Sequence, residues 1–331
     1  MKAALLYGIR DLRLVELPRP EVGPHDVLLR VRACGVCPTD LRKFNTIDGG
    51  RLQLPMNLGH EFVGTVVEAG AAVEPVAPGT RLMGLGYAGY AEYALLRMDE
   101  WPGAGRPQPV PIPAGVSDVA ATFAEPLADC VHAVVEQAAL QPGQTIAIIG
   151  GGTMGQLLQM TAKAAGGRTI VSEPDPGRRE MALALGADAV VDPVAEKLPE
   201  AIRRFTGGEL AHATILTIGV PELVQAALET VRTRGRVVLF GGFPRPTKVE
   251  VDPNLIHYEE IMLLGTEWVG AGPYWDVSLF HQALERIANG AVPVERLISA
   301  SYPLARIQEA FAAAARMDTY KVIVTMEESD S

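Results

Sequence analysis

The feature that most constrains this chain is an alternation of short apolar strands and helices beginning near residue 146. Residues 146–149 read as a buried strand. The stretch Gly150-Gly151-Gly152-Thr153-Met154-Gly155 follows at once, then a helical pattern to about Ala165. Strand patterns recur at 168–172, 189–192, 213–218 and 236–240, with a helix over 177–185. Parallel neighbours cannot be joined by a tight hairpin, so this alternation specifies a parallel sheet with helices on both faces. The chain is therefore expected to be α/β, with a doubly wound, Rossmann-type unit.

The glycine stretch fits G-x-G-x-x-G in the required context, directly after a strand and opening a helix. Glycines there permit a tight turn, close approach to a pyrophosphate, and helix-on-strand packing. The helix N-terminus adds free N–H groups and partial positive charge. Gly150, Gly152, Thr153, Met154 and Gly155 are the expected cofactor contacts. Glu173 ends the next strand, where a carboxylate accepts from ribose hydroxyls and repels a 2′-phosphate. NAD is thus expected over NADP, although Arg178 and Arg179 lie close by and pull the other way. A glycine-rich helix cap without a ligand is the alternative.

The first ~115 residues differ in kind. Strand patterns at 27–33, 62–70 and 90–96 are separated by turn residues, as in an irregular all-β domain. The chain has 331 residues, more than one core usually holds. The expected division is 1–118 with 269–331 against 119–268. The tail, with a helix over 277–288 and a closing strand at 321–324, is expected to pack back on the first domain.

Composition removes several function classes. Net charge is -10 with no Lys/Arg cluster, which argues against nucleic acid. No run of about 18 uncharged apolar residues marks a membrane span. The three cysteines do not make a disulfide framework. Free thiols and a short apolar N-terminus lead to the expectation of a cytoplasmic protein.

Cys34-Gly35-Val36-Cys37 is a C-x-x-C pair. It fits a redox pair or half a structural zinc site, but no second pair exists to complete four cysteines. His60 and Glu61 follow Gly59 just before a strand. A lone histidine is more often a packed core residue than a ligand. Yet Cys37, His60 and Glu125 would supply a thiolate, an imidazole and a carboxylate, a mixed donor set that suits zinc. Catalytic zinc sites keep three protein ligands and one open position.

Taken together, 34–40, Gly59-His60-Glu61, Glu125-Pro126-Leu127, the glycine loop and 252–258 resemble the zinc-dependent medium-chain alcohol dehydrogenases, nearest their polyol and threonine branch. The resemblance spans nearly the whole chain and implies a GroES-like β domain beside the Rossmann unit. It implies that Cys37 and His60 hold one catalytic zinc. Glu61 would be a third ligand or an exchanging partner, and Glu125 a ligand or a partner of zinc-bound water. Thr39 would bond the substrate hydroxyl and pass its proton outward, and Asp40 would orient a ligand. Lys321 would reach a cofactor phosphate. Ile218, Gly219, Val220, Phe240 and Gly241 would line the nicotinamide. Zinc acidifies a bound oxygen, so an alcohol can ionise near neutral pH and release hydride to the nicotinamide. The expected substrate is a secondary alcohol: a polyol, sugar, aminocyclitol or amino alcohol.

Three departures stand out. Residues 81–92 lack the four-cysteine lobe common in the family, so no structural zinc is expected. Arg42 stands where many relatives carry a histidine, which leaves water as the outer proton carrier. Glu267 and Trp268 either face the substrate or form a surface turn with a packing tryptophan. Residues 262–266 lie where relatives join their sheets, so a homodimer or homotetramer is expected. The rival readings are a zinc-free quinone or enoyl reductase, and a non-catalytic dinucleotide-binding sensor.

Overall fold

The computed structural model describes all residues except 47–52, 74–75, 85, 99–109, 245, 270–275, 317 and 327–331. The acidic tail 327–331 therefore lies outside the described residues. The chain divides into two compact units, Met1–Pro126 with Gly270–Ser331, and Leu127–Val269.

The first unit is mainly antiparallel. Strand Asp26–Gly35 is its axis, pairing along its length with Glu61–Ala69 and, at its start, with Tyr93–Arg97. Its end pairs with the closing strand Lys321–Thr325. The sheet continues through Ile298–Pro303 on one side and Arg81–Met83 on the other. A separate small sheet joins Lys2–Gly8, Asp11–Glu16 and Met56–Asn57.

Register in this sheet decides what can meet. Gly35 sits opposite Glu61 on one neighbour and opposite Ile323 on the other. Cys37 lies two residues beyond that end, His60 one before Glu61, and Lys321 two before Ile323. Three segments far apart in sequence thus present chemically active side chains at one end of one sheet. Helix Pro38–Asn45 starts immediately after Cys37, which serves as its N-cap, and Asp40 closes a capping box onto the Cys37 N–H.

The second unit is a six-stranded sheet, parallel throughout. Its order is Ala189–Val191, Arg168–Ser172, Thr145–Ile149, Ala211–Leu216, Val231–Leu239, Met262–Gly265. The order reverses beside Thr145–Ile149, and ligands of such sheets bind beyond the strand ends at the reversal. All five residues of Thr145–Ile149 are buried, which explains why it reads as a continuous apolar run. No helix among the described residues is long and apolar enough to cross a membrane.

Candidate active site

The side chains of Cys37, His60 and Glu61 each offer a ligand atom, and these atoms lie within 4.8 Å of one another. His60 and Glu61 are buried and Cys37 is half-buried. Zinc–sulfur and zinc–nitrogen bonds of about 2.3 and 2.0 Å separate tetrahedral ligand atoms by under about 4 Å. The cluster therefore needs only a slight closure to share one ion. Glu125, expected as a metal ligand, is buried but does not join this cluster, so the converging carboxylate is that of Glu61.

Lys321, expected at a cofactor phosphate, is 1% exposed, with its ammonium 2.5 and 2.8 Å from the two oxygens of Glu61. The physical reason is the register: its strand delivers it beside Glu61, and a buried ammonium without a carboxylate would be untenable.

Asp40 is fully buried beneath the cluster. Its Oδ1 lies 3.4 Å from His60 Nδ1, yet that nitrogen has no well-aligned hydrogen-bond partner. Tyr90, also fully buried, donates from its hydroxyl to Asp40 Oδ2 at 2.8 Å. Nothing in the local sequence singles out Tyr90. It arrives from the segment between strands Arg81–Met83 and Tyr93–Arg97. That segment is held by Ala88 and Gly89 N–H groups donating to the Gly59 carbonyl. Tyr87, from the same segment, packs edge-on against the His60 ring at 5.0 Å, and the Lys43 ammonium sits over the Tyr87 ring. Thr39 is half-buried on the first helical turn, and Arg42 is exposed.

The electrostatics favour cations. Burial alone would lower the basicity of His60 and Lys321, but neighbouring acidic groups outweigh it at both: Asp40 and Cys37 at His60, Glu61 and Cys37 at Lys321. Burial would raise the Asp40 carboxyl, but His60, Tyr90 and the Gly59 N–H hold it low. Burial pushes the Cys37 thiol up, Glu61 adds to this, and His60 and Lys321 partly offset it. The donor set of sulfur, nitrogen and oxygen fits zinc.

In the second unit the glycine loop follows its strand directly. Gly150 has φ +107°, and a Cβ on Gly155 would lie 1.9 Å from the Gly150 carbonyl oxygen, so neither position admits a side chain. Gly152 caps the helix Thr153–Ala164, on whose half-buried first turn Thr153 and Met154 stand. Glu173 is buried, and its carboxylate accepts from the Gly151 and Asp175 N–H groups at 2.6 and 2.9 Å. The acid thus ties the loop to the second strand. Arg178 lies beside Gly152. Ile218, Gly219 and Val220 follow Ala211–Leu216, and Phe240 and Gly241 follow Val231–Leu239. The N–H groups of Phe240 and Gly241 both donate to the Leu216 carbonyl, which holds the two loops side by side. Ile218 and Val220 expose much of their apolar surface there. Glu267 accepts from the Trp268 N–H at 3.1 Å.

The chain matches the family models for an alcohol dehydrogenase GroES-like domain over residues 23–101 and for a zinc-binding dehydrogenase over residues 153–289. A structure from Sinorhizobium meliloti 1021, assigned as a zinc-binding dehydrogenase and solved with NADP, is 31% identical with a TM-score of 0.85 over 98% of both chains. The chain belongs to the zinc-dependent medium-chain alcohol dehydrogenases. This dehydrogenase is 29% identical to the D-arabitol-phosphate dehydrogenase of Enterococcus avium, over 96% of its own length and 94% of that protein. It is 27% identical to the sorbitol dehydrogenase of Bacillus subtilis (strain 168), over 94% and 92%. The dehydrogenase is an oxidoreductase of CH–OH groups that passes hydride between a small-molecule alcohol and a nicotinamide nucleotide.

Proposed function

We propose that this dehydrogenase oxidises a secondary alcohol of the polyol or sugar class with NAD, using one zinc ion held by Cys37, His60 and Glu61. The observation that carries the reading is the convergence of those three donors, two of them buried. Zinc held there would supply a Lewis acid that makes the substrate hydroxyl acidic near neutral pH. The remaining work belongs to the chain. Thr39, two residues from Cys37 and half-buried, is the group that accepts the hydroxyl proton. Arg42 is exposed on the same helix, so water carries that proton onward. Lys321 neutralises Glu61 and keeps a compact counter-charge in the pocket. Glu125, buried and bearing electrostatically on Lys321, is a reserve carboxylate.

For the nucleotide, the loop N–H groups after Gly150 and the N-terminus of helix Thr153–Ala164 take the pyrophosphate. Glu173 takes the ribose hydroxyls, because each of its oxygens keeps a lone pair beyond the bond it already accepts. Ile218, Gly219, Val220, Phe240 and Gly241 border the nicotinamide. A second reading, NADP, is favoured by Arg178 beside Gly152 and by the NADP in the Sinorhizobium meliloti 1021 relative. The edge strand Met262–Gly265 pairs with Val231–Leu239 and exposes Met262 and Leu263, which suits extension of the sheet by a second copy in a dimer or tetramer. The cytoplasm is the proposed compartment.

The test is a screen of polyols, aldoses, polyol phosphates, aminocyclitols and threonine, each with NAD and NADP, followed by absorbance of the reduced nucleotide. Zinc content per chain is measured alongside. Turnover of one class with NAD, at about one zinc per chain, is the expected outcome. Turnover by protein without zinc would sink the metal assignment, and a lower KM for NADP would overturn the nucleotide assignment.

A further inference from the structure

One carboxylate outside the ligand set ties the ligand-bearing segments together. Asp40 is fully buried at the third position of helix Pro38–Asn45. Its Oδ1 accepts from the Gly59 N–H at 3.3 Å and faces His60 Nδ1 at 3.4 Å. Its Oδ2 accepts from the Cys37 N–H at 3.3 Å and from the Tyr90 hydroxyl at 2.8 Å. The contacts to Gly59, His60 and Cys37 are all long for hydrogen bonds, so none of them can fix the carboxylate alone. The Tyr90 bond is the short one, and its acceptor is ionised, which makes it the strong one.

A phenol has a single proton to donate. The Gly35 carbonyl is also within reach of the Tyr90 hydroxyl, at 3.3 Å, but the nearer, charged oxygen of Asp40 takes the proton. Tyr90 is itself fixed from behind. The Asn57 side chain accepts from the Tyr90 N–H at 3.2 Å and donates to its carbonyl at 3.3 Å. The Ala4 N–H donates to that carbonyl at 2.8 Å. The ring stands edge-on to Phe311 at 5.6 Å, which stands edge-on to Phe44 at 5.2 Å. Backbone, ring and hydroxyl are therefore each held by a different neighbour, which leaves the hydroxyl pointed at Asp40.

We propose that Tyr90 is a positioning residue of the metal centre: its hydroxyl locks Asp40, and Asp40 holds the Cys37 and Gly59 backbones and the His60 ring in ligand geometry. This rests on the reading of Cys37, His60 and Glu61 as zinc ligands. A tyrosine serving only the core would need its ring and not its hydroxyl. The hydroxyl instead sets how far the imidazole and thiolate wander from the geometry an ion requires.

Tyr90→Phe separates the two roles, because it keeps the ring against Phe311 and removes one oxygen. Zinc affinity of the full-length, metal-free protein is read by competition with a chromophoric chelator, and its unfolding midpoint is read separately. Removing the partner of a ligand-orienting group is expected to weaken zinc binding about 10- to 100-fold. The visible spectrum of the cobalt-loaded variant is expected to change with the ligand geometry. Phe311→Leu, which loosens the ring but keeps the hydroxyl, is expected to lower the midpoint and to weaken zinc binding far less than Tyr90→Phe does. Asn57→Ala frees Tyr90 from behind and is expected to weaken zinc binding less than Tyr90→Phe does; it carries the test should Tyr90→Phe not fold. The proposal is overturned if Tyr90→Phe, or Asn57→Ala in its stead, binds zinc as the parent does, or if Phe311→Leu weakens zinc binding equally. A parent protein that binds zinc no better than Cys37→Ala would instead remove the ligand assignment beneath it, and the proposal with it.

Discussion

In the parallel-sheet unit, the glycine loop comes from one unbroken stretch, residues 150–155, with the helix that follows it. In the antiparallel unit, the candidate ligand cluster is drawn from residues 37, 60 and 61, with 40, 90 and 321 around it. The first arrangement is local: a left-handed Gly150 and a Gly155 pressed on the Gly150 carbonyl shape the loop wherever that strand and helix occur. The second is long-range: it exists only while Glu61–Ala69, Asp26–Gly35 and Lys321–Thr325 keep their register. A one-residue slip would turn every side chain of a strand to the opposite face. The comparison teaches that a backbone-built site tolerates changes elsewhere, whereas a register-built site depends on each of its buried charges.

Lys321→Met should break the comparison hardest. It leaves Glu61 buried without its cation, and breaking a buried pair in this way costs about 3–5 kcal/mol. Chemical denaturation of metal-free protein would read the loss. Added zinc should recover much of it, because an ion bound by Glu61 replaces the missing charge, while nucleotide affinity stays unchanged. Equal stability of variant and parent would mean that the Lys321–Glu61 contact carries no weight.

A smaller effect is expected on the other side. Glu173→Gln keeps the size of the side chain but loses charge-assisted hydrogen bonds worth about 1.5–3 kcal/mol. NAD affinity should fall roughly tenfold or more at about 1.4 kcal/mol per decade. Preference over NADP should narrow and zinc content should stay the same. Calorimetric titration with both nucleotides checks this, and an unchanged NAD affinity would remove Glu173 from the site.

The smallest effect concerns a partly exposed charge in the same unit. Asp188 accepts from Lys163 Nζ at 2.9 Å and from the Thr169 N–H at 2.7 Å. Burial alone would raise its carboxyl, but Lys163 and the Thr169 N–H hold it below its ordinary value. A carboxyl lowered by folding stabilises the fold above its unfolded pKa of about 3.9, and that contribution is lost as pH falls through the folded value. Asp188→Asn should therefore cost about 0.5–1 kcal/mol at neutral pH, and the difference should vanish in acid. Unfolding curves at several pH values decide it, and a difference that persists in acid would contradict the linkage.

Much of the fold was legible because its signals are periodic. The buried runs at 146–149 and 168–172 became adjacent parallel strands, and the alternation at 27–33 lies within the axial strand Asp26–Gly35. The lone His60, ambiguous in sequence, stands beside Cys37 and Glu61 in space. The choice between Glu61 and Glu125 was not legible, because both are acids near apolar runs and only distance separates them. The cofactor role expected of Lys321 came from the family resemblance, which does not show what the side chain packs against. Its burial comes from the neighbours that the sheet supplies. Tyr90 carried no signal at all.

By itself the sequence determined the doubly wound sheet, the tight glycine loop and the set of chemical donors, because hydrophobic period and glycine freedom act over a few residues. Only the tertiary structure decided which carboxylate meets Cys37 and His60, that Lys321 neutralises it, and that Tyr90 stands behind Asp40. Those pairings join residues up to 260 positions apart. They are fixed by strand register and by the need of each buried charge for a partner, and no local pattern encodes either.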